Sequence, residues 1–145
     1  MTTLSKFQNT HLVNGVFFCA LLIIGDFAIK HIIAHSDMTY YCNDGIALSI
    51  QLPSFLMISL WIIFVSGFVL HIYRQRTRSL RGLLPSLLIL AGAIGNAIDR
   101  LIYGCVIDYI HFFSISIFNF ADILISIGAI LLVWDILHEK NIQSP

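Results

Sequence analysis

Four long apolar segments dominate the pattern of hydrophobic and polar positions along the chain. Each is about 20 residues long, the length of helix that crosses the hydrocarbon core of a bilayer; they cover Leu12–Ile33, Leu52–Ile72, Leu83–Tyr103 and Phe118–Leu137. The links contain a turn-forming sequence, Asn43-Asp44-Gly45, and a β-branched and aromatic stretch, Ile110–Phe118. The pattern predicts an all-α polytopic membrane protein with four transmembrane helices and short extended or β pieces in two of the links.

The overall composition agrees with that prediction. Of the 145 residues, 58% are hydrophobic and only 11% are charged, whereas soluble domains carry about 45–50% and roughly 25% respectively. This excludes a disordered chain, a nucleic-acid binder with a basic face and an ordinary water-soluble enzyme. Because four spans use more than half of the chain, we expect residues 1–145 to form a single integral-membrane domain.

The distribution of basic residues predicts the orientation. The links Ala34–Gln51 and Gly104–Ile117 contain no Lys or Arg, and we call them the outer links. The basic residues outside the spans are Lys6, the four arginines Arg74, Arg76, Arg78 and Arg81, and Lys140. Because basic residues favour the cytoplasmic side, both termini and the arginine-rich link are predicted to be cytoplasmic. Topology and anionic lipid explain the arginines, so no nucleic-acid partner is expected.

Ionisable and amide side chains recur at one depth of three predicted spans. An ionisable residue inside a membrane is costly unless it is paired or hydrated, so each is a candidate functional residue. At a rise of about 1.5 Å per residue, all of them fall near the outer ends of their spans; they are Asp26, Lys30, Asn96, Asp99, Arg100, Asn119 and Asp122. Within each span their spacing of three or four residues places them on one helix face. Ion pairs that join the helices, substrate positioning and direct chemistry all remain open.

The charges at this level do not balance. Lys30 and Arg100 could neutralise Asp26 and Asp99, which would leave Asp108 and Asp122 without basic partners. Two unpaired carboxylates that approach each other share a proton, so that one acts as an acid and the other as a base. This is an arrangement that can activate water for peptide hydrolysis.

Several ordered motifs then point to a family. The chain contains Gly95-Asn96-Ala97-Ile98-Asp99-Arg100, followed by Val106-Ile107-Asp108-Tyr109 and Phe118-Asn119-Phe120-Ala121-Asp122. It also contains Asp26 four residues before Lys30, and Asn43-Asp44-Gly45-Ile46-Ala47. From about Asp26 to Trp134 the order of these motifs resembles that of the bacterial lipoprotein signal peptidase family (signal peptidase II). The members of that family are four-span aspartyl proteases of the inner membrane.

The resemblance implies a specific site and substrate. Asp108 and Asp122 would be the catalytic pair at the outer, periplasmic face. The supporting or substrate-binding residues would be Asp26, Lys30, Asn43, Gly45, Asn96, Asp99, Arg100, Asn119 and Ala121. The substrate would be a diacylglyceryl-modified prolipoprotein in the membrane lipid, cut just before its lipidated Cys. Neither metal nor cofactor would be needed, and globomycin would act as an inhibitor.

Two alternatives remain beside this hypothesis. A catalytically idle paralogue that binds lipidated peptides is favoured by the short outer links. A small channel or transporter would need polar residues through the full depth, whereas the second and fourth spans are apolar toward the cytoplasm. The sequence also leaves open whether Cys42 and Cys105 form a disulfide on an oxidising side, since they show no CxxC motif and no metal-type spacing.

Overall fold

A computed structural model describes residues 2–45, 54–74, 80–113 and 116–142. These residues form four long helices and four short strands, in the order α1 (Thr2–Ala34), β1 (Tyr41–Asn43), α2 (Ser54–Arg74), α3 (Leu80–Tyr103), β2 (Val106–Asp108), β3 (Ile110–Phe112), β4 (Ser116–Phe118) and α4 (Phe120–Ile142). The predicted fold class, helical with short extended pieces, is confirmed.

Three of the helices are long and apolar enough to cross a membrane. These stretches are Val13–Ala34 in α1, Leu83–Tyr103 in α3 and Phe120–His138 in α4, and α2 contributes a shorter apolar stretch, Ile58–Arg74. Leu52, the predicted start of the second span, lies outside the described residues. Helix α4 begins two residues after the predicted Phe118, because Phe118 belongs to β4 and Asn119 precedes the first helical residue.

Helix α3 occupies the centre of the bundle and packs against α1, α2 and α4. Its buried residues Leu83, Leu87 and Ala91 form the apolar core together with Cys19 of α1 and Leu124 of α4. The three helices around α3, namely α1, α2 and α4, expose large apolar side chains, among them Phe17, Ile63 and Ile130. An apolar surface of this extent suits contact with lipid.

The strands lie where the helices end. Helix α3 stops at Tyr103, and Gly104 follows with a φ of +79° while its N–H donates to the carbonyl of Arg100 at 3.2 Å. Glycine adopts this left-handed conformation without a steric penalty, which makes it a common residue just after a helix. The chain then enters β2, which pairs antiparallel with β1, while β3 and β4 form a hairpin. Cys42 of β1 and Cys105, just before β2, form a disulfide, which answers the question that the sequence left open.

Candidate active site

Asp108 ends β2 and is only 2% exposed. Asn119 donates from Nδ2 to Oδ1 of this carboxyl group at 2.6 Å, and Asn43 donates from Nδ2 to Oδ2 at 2.9 Å. Burial raises the pKa of Asp108 above its usual value; the two amide hydrogen bonds lower it in part, and the neighbouring charge of Asp122 raises it further. This raised pKa makes the protonated form of Asp108 more favourable than that of an exposed aspartate.

Asp122 lies in the first turn of α4 and takes part in a reciprocal capping arrangement. The N–H of Asp122 donates to Oδ1 of Asn119 at 3.1 Å, and the N–H of Asn119 donates to Oδ2 of Asp122 at 3.1 Å. This is the geometry of a capping box, in which two otherwise unpaired N–H groups of a helix start are satisfied. Asn119 is thus a cap and not a residue of the helix face. The second oxygen of Asp122 accepts from Nδ2 of Asn96 at 2.8 Å.

The orientations of the three asparagine amides are fixed by what their oxygens accept. Oδ1 of Asn43 accepts the N–H of Gly45 at 3.0 Å, and Oδ1 of Asn119 accepts the N–H of Asp122. Oδ1 of Asn96 accepts from Nζ of Lys30 at 2.9 Å. Backbone N–H groups and ammonium groups can only donate, so each amide must present its NH₂ group on the opposite side. All three therefore donate to Asp108 or Asp122.

A buried ionic cluster lies next to the hydrogen bonds of Asp108 and Asp122. Nζ of Lys30 lies 2.8 Å from Oδ2 of Asp26 and 2.9 Å from Oδ2 of Asp99, and all three side chains are at most 1% exposed. With the bond to Asn96, the three donors of the ammonium group have three acceptors. The cluster joins α1 to α3, and through Asn96 it reaches Asp122 on α4.

Arg100 makes different contacts from those that the charge count predicted. Its Nη2 donates to the carbonyl of Gly45 at 2.7 Å, and its Nη1 donates to the carbonyl of Asn96 at 3.2 Å. The predicted division, with one basic residue for each of two aspartates, is wrong, since both ion pairs of the described residues involve Lys30. The guanidinium group instead holds the turn after β1 to the end of α3, close enough to interact electrostatically with Asp122 and Asp108.

Close packing of α3 on α1 and α4 depends on small residues. A methyl group at Gly95 would lie 2.5 Å from Oδ2 of Asp26 and 3.5 Å from Cβ of Ala121, which is fully buried. Gly95 is therefore what allows Asp26 to reach the ionic cluster. Gly95 was not among the predicted site residues, although its position at the start of the first motif was a usable signal. The disulfide cysteines were also absent from the predicted site.

All eleven predicted site residues are thus placed in one connected region. It can perform acid–base chemistry, because two carboxyl groups from different elements are linked through Asn119 and are otherwise bound to neutral amides. Among the described residues there is no group of three His, Cys, Asp or Glu side chains placed to hold a metal ion.

Comparison with protein families shows which family the chain belongs to. The family described as signal peptidase (SPase) II matches residues 17–138, which is most of the chain and includes every residue of the region above. The chain belongs to the signal peptidase II family. It is a peptidase, and an integral protein of the bacterial inner membrane.

Several lipoprotein signal peptidases are similar to this chain over most of their length. The one from Pelotomaculum thermopropionicum is 34% identical over 114 residues, which cover 74% of this chain and 71% of the relative. The one from Chlorobaculum tepidum is 39% identical over 116 residues, covering 71% of this chain and 70% of the relative. The one from Streptococcus thermophilus is 33% identical over 116 residues, covering 78% and 76%.

Two solved structures share the fold of this chain. Both are described as bacterial membrane enzymes determined by the in meso method. The one at 2.3 Å resolution has a TM-score of 0.74 and 24% identity, and it covers 90% of this chain and 92% of its own. The one at 1.9 Å resolution has a TM-score of 0.69 and 25% identity, and it covers 86% and 92%. The four-helix arrangement with strands at one end is therefore that of known membrane enzymes.

Proposed function

We propose that this protein is an aspartic endopeptidase in which Asp108 and Asp122 act as the catalytic pair on prolipoproteins. The observation that carries the proposal is the shared partner, since one side chain, Asn119, donates to Asp108 and accepts from the backbone of Asp122. The remaining predicted site residues orient this pair or hold the helices that bear it. Supporting evidence also comes from the relatives, which are named lipoprotein signal peptidases.

The two carboxyl groups take different roles. Asp122 stands at the N-terminus of α4, where the helix dipole and the N–H of Asn119 stabilise negative charge, so it accepts a proton from the attacking water. Asp108, buried and with a raised pKa, holds the proton that polarises the scissile carbonyl. When the tetrahedral intermediate breaks down, the proton on Asp122 passes to the leaving amine. This chemistry needs no metal or cofactor.

The proposed substrate is a prolipoprotein that carries a diacylglyceryl group on Cys, with the cut placed just before that Cys. The pair lies where α3 has ended and α4 begins, at the end of two apolar helices of membrane length. In such a substrate, the Cys that follows the scissile bond is anchored in the membrane by its acyl chains. The scissile bond is thereby held at the depth of the pair, while the acyl chains remain in the lipid. The exposed apolar faces of α1, α2 and α4 provide a surface that suits such acyl chains.

The site is proposed to face the periplasm, with both termini in the cytoplasm. Two independent features support this orientation, namely the absence of Lys and Arg from the outer links and the Cys42–Cys105 disulfide beside the site. Disulfides persist in oxidising compartments such as the periplasm and are rare in the cytoplasm.

Reporter fusions test the orientation. Alkaline phosphatase, which is active only in the periplasm, should be active when fused after His35 and inactive when fused after Arg74, because the positive-inside rule places these positions on opposite sides. Phosphatase activity normalised to fusion abundance is the measurement. An active fusion after Arg74 together with an inactive one after His35 would invert the proposed orientation.

Cleavage of a lipidated precursor by the purified enzyme tests the function. We expect two products, one beginning with the lipidated Cys, and we expect globomycin to block their formation. The same precursor without its diacylglyceryl group is the matched control and should remain intact. Binding of the lipidated precursor without any cleavage, measured by mass spectrometry and by co-purification, would contradict the proposal and favour the idle paralogue.

A further inference from the structure

The Cys42–Cys105 disulfide lies next to a hydrogen-bond partner of the proposed catalytic pair. Cys42 directly precedes Asn43, whose amide donates to Asp108, and Cys105 directly precedes the strand that ends at Asp108. The Cα atoms of the two cysteines are 5.5 Å apart. The covalent bond therefore joins the segment that carries the amide to the segment that carries the carboxyl group.

Besides the disulfide, strand β1 is held by its ladder with β2 and by hydrogen bonds at its C-terminal end. Its ladder with β2 comprises three residue pairs, in which Asn43 lies opposite Val106 and Tyr41 lies opposite Asp108. The side chains of Tyr41 and Cys42 are exposed, so burial of β1 is slight. Two-stranded ladders are marginally stable in water on their own. Beyond the ladder, the carbonyl of Gly45 is held by Arg100.

We propose that the disulfide is a positioning device that keeps Asn43 against Asp108, so that full peptidase activity requires the oxidised form. This inference rests on the proposed function. A dithiol reductant such as dithiothreitol transfers two electrons and two protons to the disulfide, gives two thiols and becomes a cyclic disulfide itself. In the reduced protein, β1 separates from β2 and Asp108 loses one of its two amide hydrogen bonds.

The groups around Asp108 make the pH profile of cleavage a measure of this loss. Asp122 faces Asp108 from the start of α4 beside the neutral amide of Asn119, Arg100 of α3 is close enough to interact with it, and Lys30 of α1 acts at longer range. The bond from Asn43 lowers the pKa of Asp108 and burial raises it, and separation of β1 from β2 would reduce both effects. The limbs of the rate profile, which belong to the coupled pair, should therefore shift between the oxidised and the reduced enzyme.

The experiment compares oxidised and reduced enzyme in a Cys19→Ala background. Cys19 is buried in the apolar core away from the site, and its replacement leaves one cysteine pair whose state maleimide labelling reports. We expect reduction to lower kcat/KM about tenfold, the upper end of the effect of losing one neutral hydrogen bond. Cys42→Ala and Cys105→Ala should each reproduce the loss and should no longer respond to reductant.

An Asn43→Ala variant separates positioning from general support of the fold. If the disulfide acts through Asn43, reduction of this variant should change neither its rate nor its pH profile, because the amide is already absent. Helix content and gel-filtration behaviour should be the same in both redox states.

Three results would overturn the inference. Equal cleavage by oxidised and reduced enzyme would overturn it while the proposed function stands. If reduction lowered kcat/KM of Asn43→Ala as much as that of the enzyme with Asn43, the disulfide would act on activity through residues other than Asn43. An oxidised enzyme that cleaves no lipidated precursor would overturn the proposed function and this inference with it.

Discussion

Replacement of Asp108 or Asp122 by Asn is expected to abolish cleavage of a lipidated precursor while the protein still folds and binds it. Asn cannot exchange a proton, so each variant should lose at least ~10³-fold in kcat. Both oxygens of Asp108 and both oxygens of Asp122 accept hydrogen bonds from N–H groups. In each Asn variant, the side-chain NH₂ group therefore faces a donor where the native oxygen accepted a hydrogen bond. A loss of about 1 kcal/mol in the free energy of unfolding should accompany the kinetic effect. Single-turnover cleavage and thermal unfolding measure the two effects.

The double variant and the pH profile examine whether the two carboxyl groups act together. Asp108→Asn combined with Asp122→Asn should cost little more than either alone, because residues that act as a unit are not additive. The rate of the unmodified enzyme should be bell-shaped in pH, with both limbs belonging to the pair. Asp37→Asn is the matched control, since Asp37 is exposed on the same outer link as β1. Normal cleavage by Asp108→Asn with loss in Asp37→Asn would show that the pair is wrongly assigned.

Replacement of Lys30 by Met is expected to destabilise the protein strongly. It leaves the carboxyl groups of Asp26 and Asp99 buried without their cation, and breaking a buried ion pair costs about 3–5 kcal/mol. It also removes the donor that orients the amide of Asn96 toward Asp122. We expect a low yield of folded protein and early unfolding in a detergent titration.

Neutralisation of the two acids should rescue that defect in part. Lys30→Met combined with Asp26→Asn and Asp99→Asn buries no net charge, so folded yield should recover relative to Lys30→Met alone. Arg74→Met is the control for loss of a basic side chain, since Arg74 is exposed at the end of α2 and its replacement should leave unfolding unchanged. Wild-type stability in Lys30→Met would mean that the ammonium group is not buried in the membrane-embedded protein.

The fold class was predictable because a bilayer imposes strict demands on sequence. Backbone groups inside lipid must bond within their own helix, and runs such as Leu83–Tyr103 show this directly. The approximate site was predictable for a related reason. Ionisable residues such as Asp26 and Asp99 are too costly in a span to be accidental, and their depth follows from the helical rise.

Depth along a helix does not fix what a side chain faces. Lys30 and Arg100 have similar predicted depths, but only rotation about the helix axes decides that Lys30 contacts both Asp26 and Asp99. Asn119 and Asp122 have helical spacing, yet the first is a cap, because β4 extends the chain up to the start of the helix. The disulfide likewise depends on the pairing of β1 with β2, which is a contact across 63 residues that no local pattern indicates.

The β3–β4 hairpin lies between Asp108 and Asp122 along the chain, and its closed base fixes the position of both carboxyl groups. Ile110 pairs with Phe118, and the N–H of Tyr109 donates to the carbonyl of Phe118 at 3.1 Å, so the chain is already closed one residue after Asp108. Residues beyond this closure can be gained or lost without moving either carboxyl group. The hairpin beyond the Ile110–Phe118 pair is therefore where we expect the chain to tolerate insertions or deletions while cleavage of a lipidated precursor is retained.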